Sequence, residues 1–139
     1  MRILALPEPL NRRVWHVVTE DGRVLAAVKA MKENDPDCLG WLFNASHDSQ
    51  RDDYEVSIPE IDLLVNLARE ERDVFGARLT GGGFGGSIVA LVDAASADRV
   101  QQELRRLYAA STRLEPDVWI CGAGDGVSKV HDRLPASTI

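Results

Sequence analysis

Arg78-Leu79-Thr80-Gly81-Gly82-Gly83-Phe84-Gly85-Gly86-Ser87-Ile88-Val89-Ala90-Leu91-Val92 is the stretch that decides how this 139-residue chain folds. From Ser87 to Val92 the residues are apolar and rich in β-branched side chains, which predicts a buried strand. Phe75 to Leu79 is a second short apolar segment of strand length. Two strands joined by so short a loop pair antiparallel. The loop itself holds five of the eleven glycines of the chain, between positions 81 and 86. Each glycine gives up roughly 0.5–1 kcal/mol relative to alanine, so the cluster costs about 2.5–5 kcal/mol. A hairpin turn needs one or two such residues. The excess points to positive φ, or to a backbone that something must approach closely; the plain alternative is a tightly packed turn.

A run of exposed backbone amides attracts an anion, because consecutive N–H groups form a concave nest, and phosphate is its usual guest. The spacing Gly81, Gly83, Gly86 satisfies G-x-G-x-x-G, but the dinucleotide version of that motif requires a helix after the loop. The Walker A loop requires Lys and then Ser or Thr after its last glycine, where this chain has Ser87 and Ile88. The protein-kinase loop requires a following strand lysine, and no lysine occurs between Lys32 and Lys129. None of the three standard phosphate loops fits.

Upstream, Val14, Val17, Val18, Val24, Leu25, Val28 and Met31 recur at helical spacing and predict a helix from Asn11, with a kink or break at Asp21-Gly22. Asn34-Asp35-Pro36 marks a turn. Leu39, Leu42, Phe43 and Ser46 predict a second helix to about Arg51. Ser57 and Glu60 have the spacing of a capping box for a third, with Val56 and Ile61 as its staple and Ile61, Leu64, Val65 and Ala68 facing a core. Downstream, Ser96 reads as the cap of a fourth helix carrying Val100, Leu104, Leu107 and Tyr108. Val118 to Cys121 reads as a third strand, and Gly126 to Val130 as a candidate fourth. The fold class is therefore α+β, an antiparallel sheet with helices on one face.

Composition excludes several functions. The net charge of −6 comes from 16 basic and 22 acidic residues, with no basic cluster able to neutralise a row of phosphates, so nucleic acid is not an expected partner. No apolar run approaches membrane-spanning length, and no leader peptide is expected before Pro7 and Pro9, so a cytoplasmic location is expected. Cys38 and Cys121 are read as small buried residues, not a disulfide or metal pair. Trp41, Trp119 and the Leu and Val stripes are assigned to the core. His16, His47 and His131 lack the spacing of metal ligands, and His47 is read as a hydrogen-bonded structural residue. Ser87 lacks the G-x-S-x-G elbow of a nucleophile.

Read whole, Arg78 to Ser87 resembles the third motif of the GHMP kinases, which phosphorylate small alcohols with ATP. Ser46-His47-Asp48-Ser49-Gln50-Arg51-Asp52-Asp53-Tyr54-Glu55-Val56-Ser57-Ile58-Pro59-Glu60-Ile61-Asp62 resembles the signature of the galactokinase family in this region. Arg12-Arg13, His16 to Glu20 and Gly124-Asp125-Gly126 resemble its flanks. Departures are Trp15 for a basic residue, Gln50 for Leu, and Ser87 for a frequent Cys.

The resemblance implies a ferredoxin-like carboxy-terminal domain over residues 11–130, with a lead-in at 1–10 and a tail at 131–139. It implies that Thr80, Gly81, Gly82, Gly83, Phe84, Gly85, Gly86 and Ser87 face the phosphates and sugar, with Arg51, Asp52, Asp53 and Arg78 supporting the cleft or the domain interface. For the Arg51-Asp52-Asp53 cluster the residues alone equally allow a solvated helix end. In the family, the catalytic residues and a Pro-x-Gly-x-Gly-Leu-x-Ser-Ser loop lie in a preceding domain, and that motif is absent here. ATP, Mg²⁺ and galactose are thus expected only in a complete enzyme, and no catalytic or metal-ligating residue is expected in this chain. Tight binding of a cofactor by the chain alone is likewise not expected. The alternative is a stand-alone module that binds a phosphorylated metabolite or a partner, or that self-associates through an orphaned face.

Overall fold

The computed structural model describes residues 5–127. Helix α1 (Leu10–Glu33) turns through Asn34 into α2 (Pro36–Ser49), which passes into a π-helical turn (Gln50–Tyr54). Helix α3 (Pro59–Glu70), strands β1 (Val74–Thr80) and β2 (Ser87–Val92), and helix α4 (Ala97–Thr112) follow. The turn between α1 and α2 follows from residue type. Asn34 takes the left-handed conformation at φ 54°, and Asp35 accepts the Cys38 amide at 2.9 Å while Pro36 starts the helix.

The two strands pair antiparallel, with Thr80 opposite Ser87, Leu79 opposite Ile88 and Ala77 opposite Ala90. Alternation sends Ala77 and Leu79 to one face, where Ile61, Val65 and Ala68 of α3 and Val100 and Leu104 of α4 cover them. Ile88, Ala90 and Val92 of β2 join the same core. The opposite face leaves Val89 exposed, so β2 is buried on one side only. An antiparallel sheet with helices on one face is the expected α+β architecture.

Helix α2 does something else: it runs along the free edge of β1. The amides of Ala77 and Leu79 point away from β2. Asn44 Oδ1 accepts the first at 3.0 Å and His47 Nδ1 accepts the second at 3.3 Å. Side chains thus close a strand edge that would otherwise stay open for pairing. Gly40, one turn before Asn44, brings the helix backbone against Phe75 and Gly76. A Cβ on Gly40 would lie 2.2 Å from the Phe75 carbonyl oxygen, and one on Gly76 would lie 2.1 Å from that of Gly40.

Several expectations are overturned. Val118 to Cys121 is not a strand. It meets α4, whose Gln101 and Arg105 side chains both donate to the Val118 carbonyl, at 2.7 and 3.0 Å. It pairs with neither β1 nor β2. The candidate fourth strand at 126–130 lies partly outside the described residues, as do the tail and His131. Trp41 and Trp119 are exposed, as are Cys38 and Cys121. The capping box does not form: Ile58 is the N-cap of α3, and Ser57 Oγ instead donates to Asp62 Oδ1 at 2.5 Å. Ser96 is the N-cap residue of α4, as expected, but its hydroxyl makes no capping hydrogen bond and donates to Asp73 at 2.8 Å instead.

Helix α1 is unbroken at Gly22, where an added Cβ would meet nothing within 4 Å. Gly22→Ala should therefore stabilise the chain by about 0.5–1 kcal/mol, read as a higher urea midpoint. The larger surprise is that α1 packs with its polar face. His16 and Ala30 are buried, while the predicted Val, Leu and Met stripe is exposed apart from the half-buried Val14.

Candidate functional site: the glycine hairpin tip

Six residues, 81–86, connect β1 to β2. Gly81, Gly83, Gly85 and Gly86 have φ of 88°, 85°, 122° and 95°, and Phe84 has φ 60°. These values explain the glycines, since side chains rarely tolerate that region. The loop is anchored at one place. The Phe84 amide donates to the Val56 carbonyl at 2.7 Å, and Gly83 passes so close that a Cβ there would lie 2.6 Å from the same oxygen. Ile58 packs beneath Gly85. The segment leading into α3 is thus the floor of the loop.

Around that anchor the loop is open. Thr80, Gly81, Gly82, Phe84, Gly86 and Ser87 are exposed, and Cβ atoms on Gly81, Gly82 or Gly86 would meet nothing. Phe84 is 73% exposed, an unusual position for a large ring held at positive φ. The Phe84 bond is the single backbone hydrogen bond recorded for the loop outside the strand ladder, among the described residues. Chemically, the tip is a rigidly based arc of unshielded peptide groups, able to border an anionic ligand and unable to transfer a proton to it.

The other predicted residues fall elsewhere. Arg51 forms a forked pair with Asp52, both bonds at 2.8 Å, and these hydrogen bonds, helped by its charge, hold the Asp52 carboxyl below the usual range. Asp53 Oδ2 accepts from Ser49 Oγ at 2.7 Å. The carbonyls of Asp52 and Asp53 accept from Arg12 and Arg13, which also bind Glu55. This cluster fastens the π-helical turn to α1; no hydrogen bond links it to the glycine loop among the described residues. Arg78 enters the loop along β1, but its guanidinium turns back to Glu20 Oε1 at 3.2 Å.

Glu20 is the residue that sequence reasoning missed. It accepts Ser46 Oγ at 2.6 Å, Arg23 Nε at 2.6 Å and Arg78, joining α1, α2 and β1. Burial pushes its carboxyl up, but the Ser46 and Arg23 hydrogen bonds and the Arg23 and Arg78 charges hold it below the ordinary value. No spacing rule announces such a hub, because two of its three partners lie 26 and 58 residues away.

His16, Ser49 and Asp53 are the residue types of a hydrolytic triad, wired the wrong way. Ser49 donates its single proton to Asp53, so His16 Nδ1 must donate to Ser49 Oγ across 2.9 Å. A serine so held has no base to activate it. No group of three His, Cys, Asp or Glu side chains could hold a metal ion among the described residues. No described helix is long and apolar enough to cross a membrane.

Comparison with known proteins is consistent with this geometry. The family of GHMP kinases C terminal matches residues 27–110. A galactokinase from Haemophilus influenzae (strain ATCC 51907 / DSM 11121 / KW20 / Rd) is 48% identical over 126 residues, covering 90% of this chain and 33% of the relative. One from Roseiflexus sp. (strain RS-1) is 43% identical over 127 residues, covering 91% and 32%. The crystal structure of Lactococcus lactis galactokinase complexed with galactose superposes with a TM-score of 0.76 at 36% identity, over 82% of this chain and 29% of that one. The chain thus spans about a third of the length of the curated relatives it matches.

Proposed function

The chain belongs to the GHMP kinase C-terminal family, and on that premise we propose that it supplies one wall of a galactokinase active site. A complete polypeptide would transfer the ATP γ-phosphoryl group to a galactose hydroxyl. The hairpin tip 80–87 would border the phosphates and the sugar. The observation that carries this reading is the exposure of the tip: of its five positive-φ residues Gly81, Phe84 and Gly86 are exposed, while Gly83 and Gly85 rest on Val56 and Ile58. A turn selected only for packing would bury more of that backbone.

The contribution of this chain is positional. Its amides and Thr80 or Ser87 hydroxyls can orient an anionic or hydroxylated ligand and exclude water beside it. ATP fits such a tip through its phosphate oxygens. Mg²⁺ would compensate phosphate charge, and its ligands would come from outside the described residues, which offer no metal cluster. The base and the main phosphate loop would also lie in the remaining two thirds. Arg51, Asp52, Asp53 and Arg78 would then support the site at a distance, by setting α1 and β1 against one another.

An ATP-coupled assay with galactose tests the division of labour. The chain alone should show no turnover at an ordinary enzyme rate, and turnover would overturn the proposal. Joined as the carboxy-terminal third of a complete galactokinase, it should be active, and Gly86→Val should then lower kcat/KM by about 30-fold or more, roughly 2 kcal/mol. A Cβ at position 86 meets nothing within the domain, so melting of the isolated variant should fall only by the strain of a side chain at positive φ, about 1–2 kcal/mol. Micromolar binding of ATP, ADP or galactose 1-phosphate to the chain alone would favour a stand-alone binding module instead.

A further inference from the structure

Helix α1 is amphipathic and turned inside out. Its polar side, with Glu20, Arg23 and buried His16, packs on α2 and the π-helical turn. Its apolar side, with Val17, Val18, Val24, Leu25, Val28 and Met31, lies between 41% and 68% exposed. An apolar stripe along a 24-residue helix, broken only at its middle by Asp21, is more than the scattered exposure normal for a monomer, and it marks a surface that is covered in use.

The spacing says what kind of surface covers it. Leu10, Val14, Val17, Asp21, Val24, Val28 and Met31 alternate by four and three residues, the repeat of a helix that meets another long element along a seam. One member is charged. Asp21 is exposed at the middle of that seam, and no cation among the described residues pairs with it. A second copy of this helix, in register and either parallel or antiparallel, would bring the two Asp21 carboxylates together on a chain whose net charge is already −6. Self-association is thereby disfavoured, and a partner that brings a cation is favoured. The relatives carry about two further thirds of polypeptide beyond the stretch matched here.

We propose that the α1 stripe is the seat of those remaining two thirds of a galactokinase, which meet it through an apolar helix or strand face with one lysine or arginine opposite Asp21. The proposal rests on the galactokinase reading above, and a single experiment separates the two. This chain, tagged, is co-expressed with the non-matching two thirds of the Haemophilus relative, so that each part can fold against the other. The complex is isolated, its Kd measured by dilution, and galactose-dependent ATP consumption assayed separately.

The intact chain is expected to capture the fragment. Leu25→Glu should weaken capture at least tenfold, and Asp21→Lys at least fivefold, with melting of each variant chain within about 2 °C of the parent because both sites are exposed. Asp21→Leu should raise self-association of the chain alone, seen by sedimentation velocity. Capture that ignores the α1 substitutions, or a parent chain that dimerises as strongly as Asp21→Leu, overturns the proposal. Capture through α1 without galactose turnover would instead sink the kinase reading and leave the seat intact.

Discussion

Gly40→Ala should destabilise the domain by about 3–5 kcal/mol and lower its melting temperature by roughly 10–15 °C. The new Cβ would stand 2.2 Å from the Phe75 oxygen, 2.3 Å from its carbonyl carbon and 2.7 Å from its Cβ. The first two are backbone atoms of β1, so no rotamer change relieves the overlap, and α2 must retreat from the strand edge. Retreat has a second consequence. Asn44 and His47 sit on the same face of α2, four and seven residues on, and they hold the amides of Ala77 and Leu79. Two hydrogen bonds of about 1 kcal/mol each would lengthen or break, on buried donors that no water replaces. Domains of this kind have only about 5–15 kcal/mol in total, so the variant would lose a large share of its stability. Gly76→Ala should behave alike, because its Cβ would lie 2.1 Å from the Gly40 oxygen. Thermal melts followed by circular dichroism, with Gly22→Ala as the helix-glycine control, decide it. A Gly40→Ala melt within 2 °C of the parent would show that the helix is not seated where the structure places it.

That contact also shows what the sequence reading could and could not reach. The hairpin was legible, because five glycines between two apolar segments leave few alternatives, and its antiparallel register follows from loop length. Helices α3 and α4 were legible too, through Ile61, Val65 and Ala68 and through Val100, Leu104 and Tyr108. Helix α1 was legible as a helix and misleading as a packing unit. Periodicity reports that a stripe exists and cannot say whether the cover for that stripe lies in the same polypeptide. Trp41 and Trp119 failed for a related reason, since apolar residues are assigned to a core by default. The edge contact of α2 was written in Gly40, Asn44 and His47, a small and polar face at helical spacing. Searching for apolar faces alone passes over it. Glu20 and Arg78 are joined only by the tertiary fold, and the loop anchor at Val56 equally so. The candidate site was thus readable as a motif, while its floor and its supports were not.

His47 gives the second large effect, and it appears as a dependence on pH. The ring is fully buried; its Nδ1 accepts the Leu79 amide, so the proton of the neutral ring sits on Nε2, facing Asp62 Oδ1 at 3.4 Å without completing a hydrogen bond. Protonating Nδ1 would break the bond to β1. Burial lowers the basicity of the ring and the Arg69 charge lowers it further, against the opposing pull of Asp62 and Asp48. His16 is lowered as well, chiefly by burial. A histidine with a depressed folded-state pKa contributes its full stability above the unfolded value of 6.5. That contribution declines as the pH falls through 6.5 toward the folded value, because the unfolded chain takes up the proton first. Between pH 7.5 and 5.5, a histidine that stayed wholly neutral in the fold would lose about 1.4 kcal/mol. Urea unfolding should therefore show a drop of up to about 3 kcal/mol over that window with both histidines present. His47→Gln keeps an acceptor for Leu79 and removes the titration. It should lower stability at pH 7.5 by about 1–2 kcal/mol while flattening the decline toward the His16 contribution alone. A His47→Gln chain whose stability falls with pH as steeply as the parent would mean that the ring takes up its proton in the fold as readily as in the unfolded chain, and that the bond to β1 does not hold it neutral.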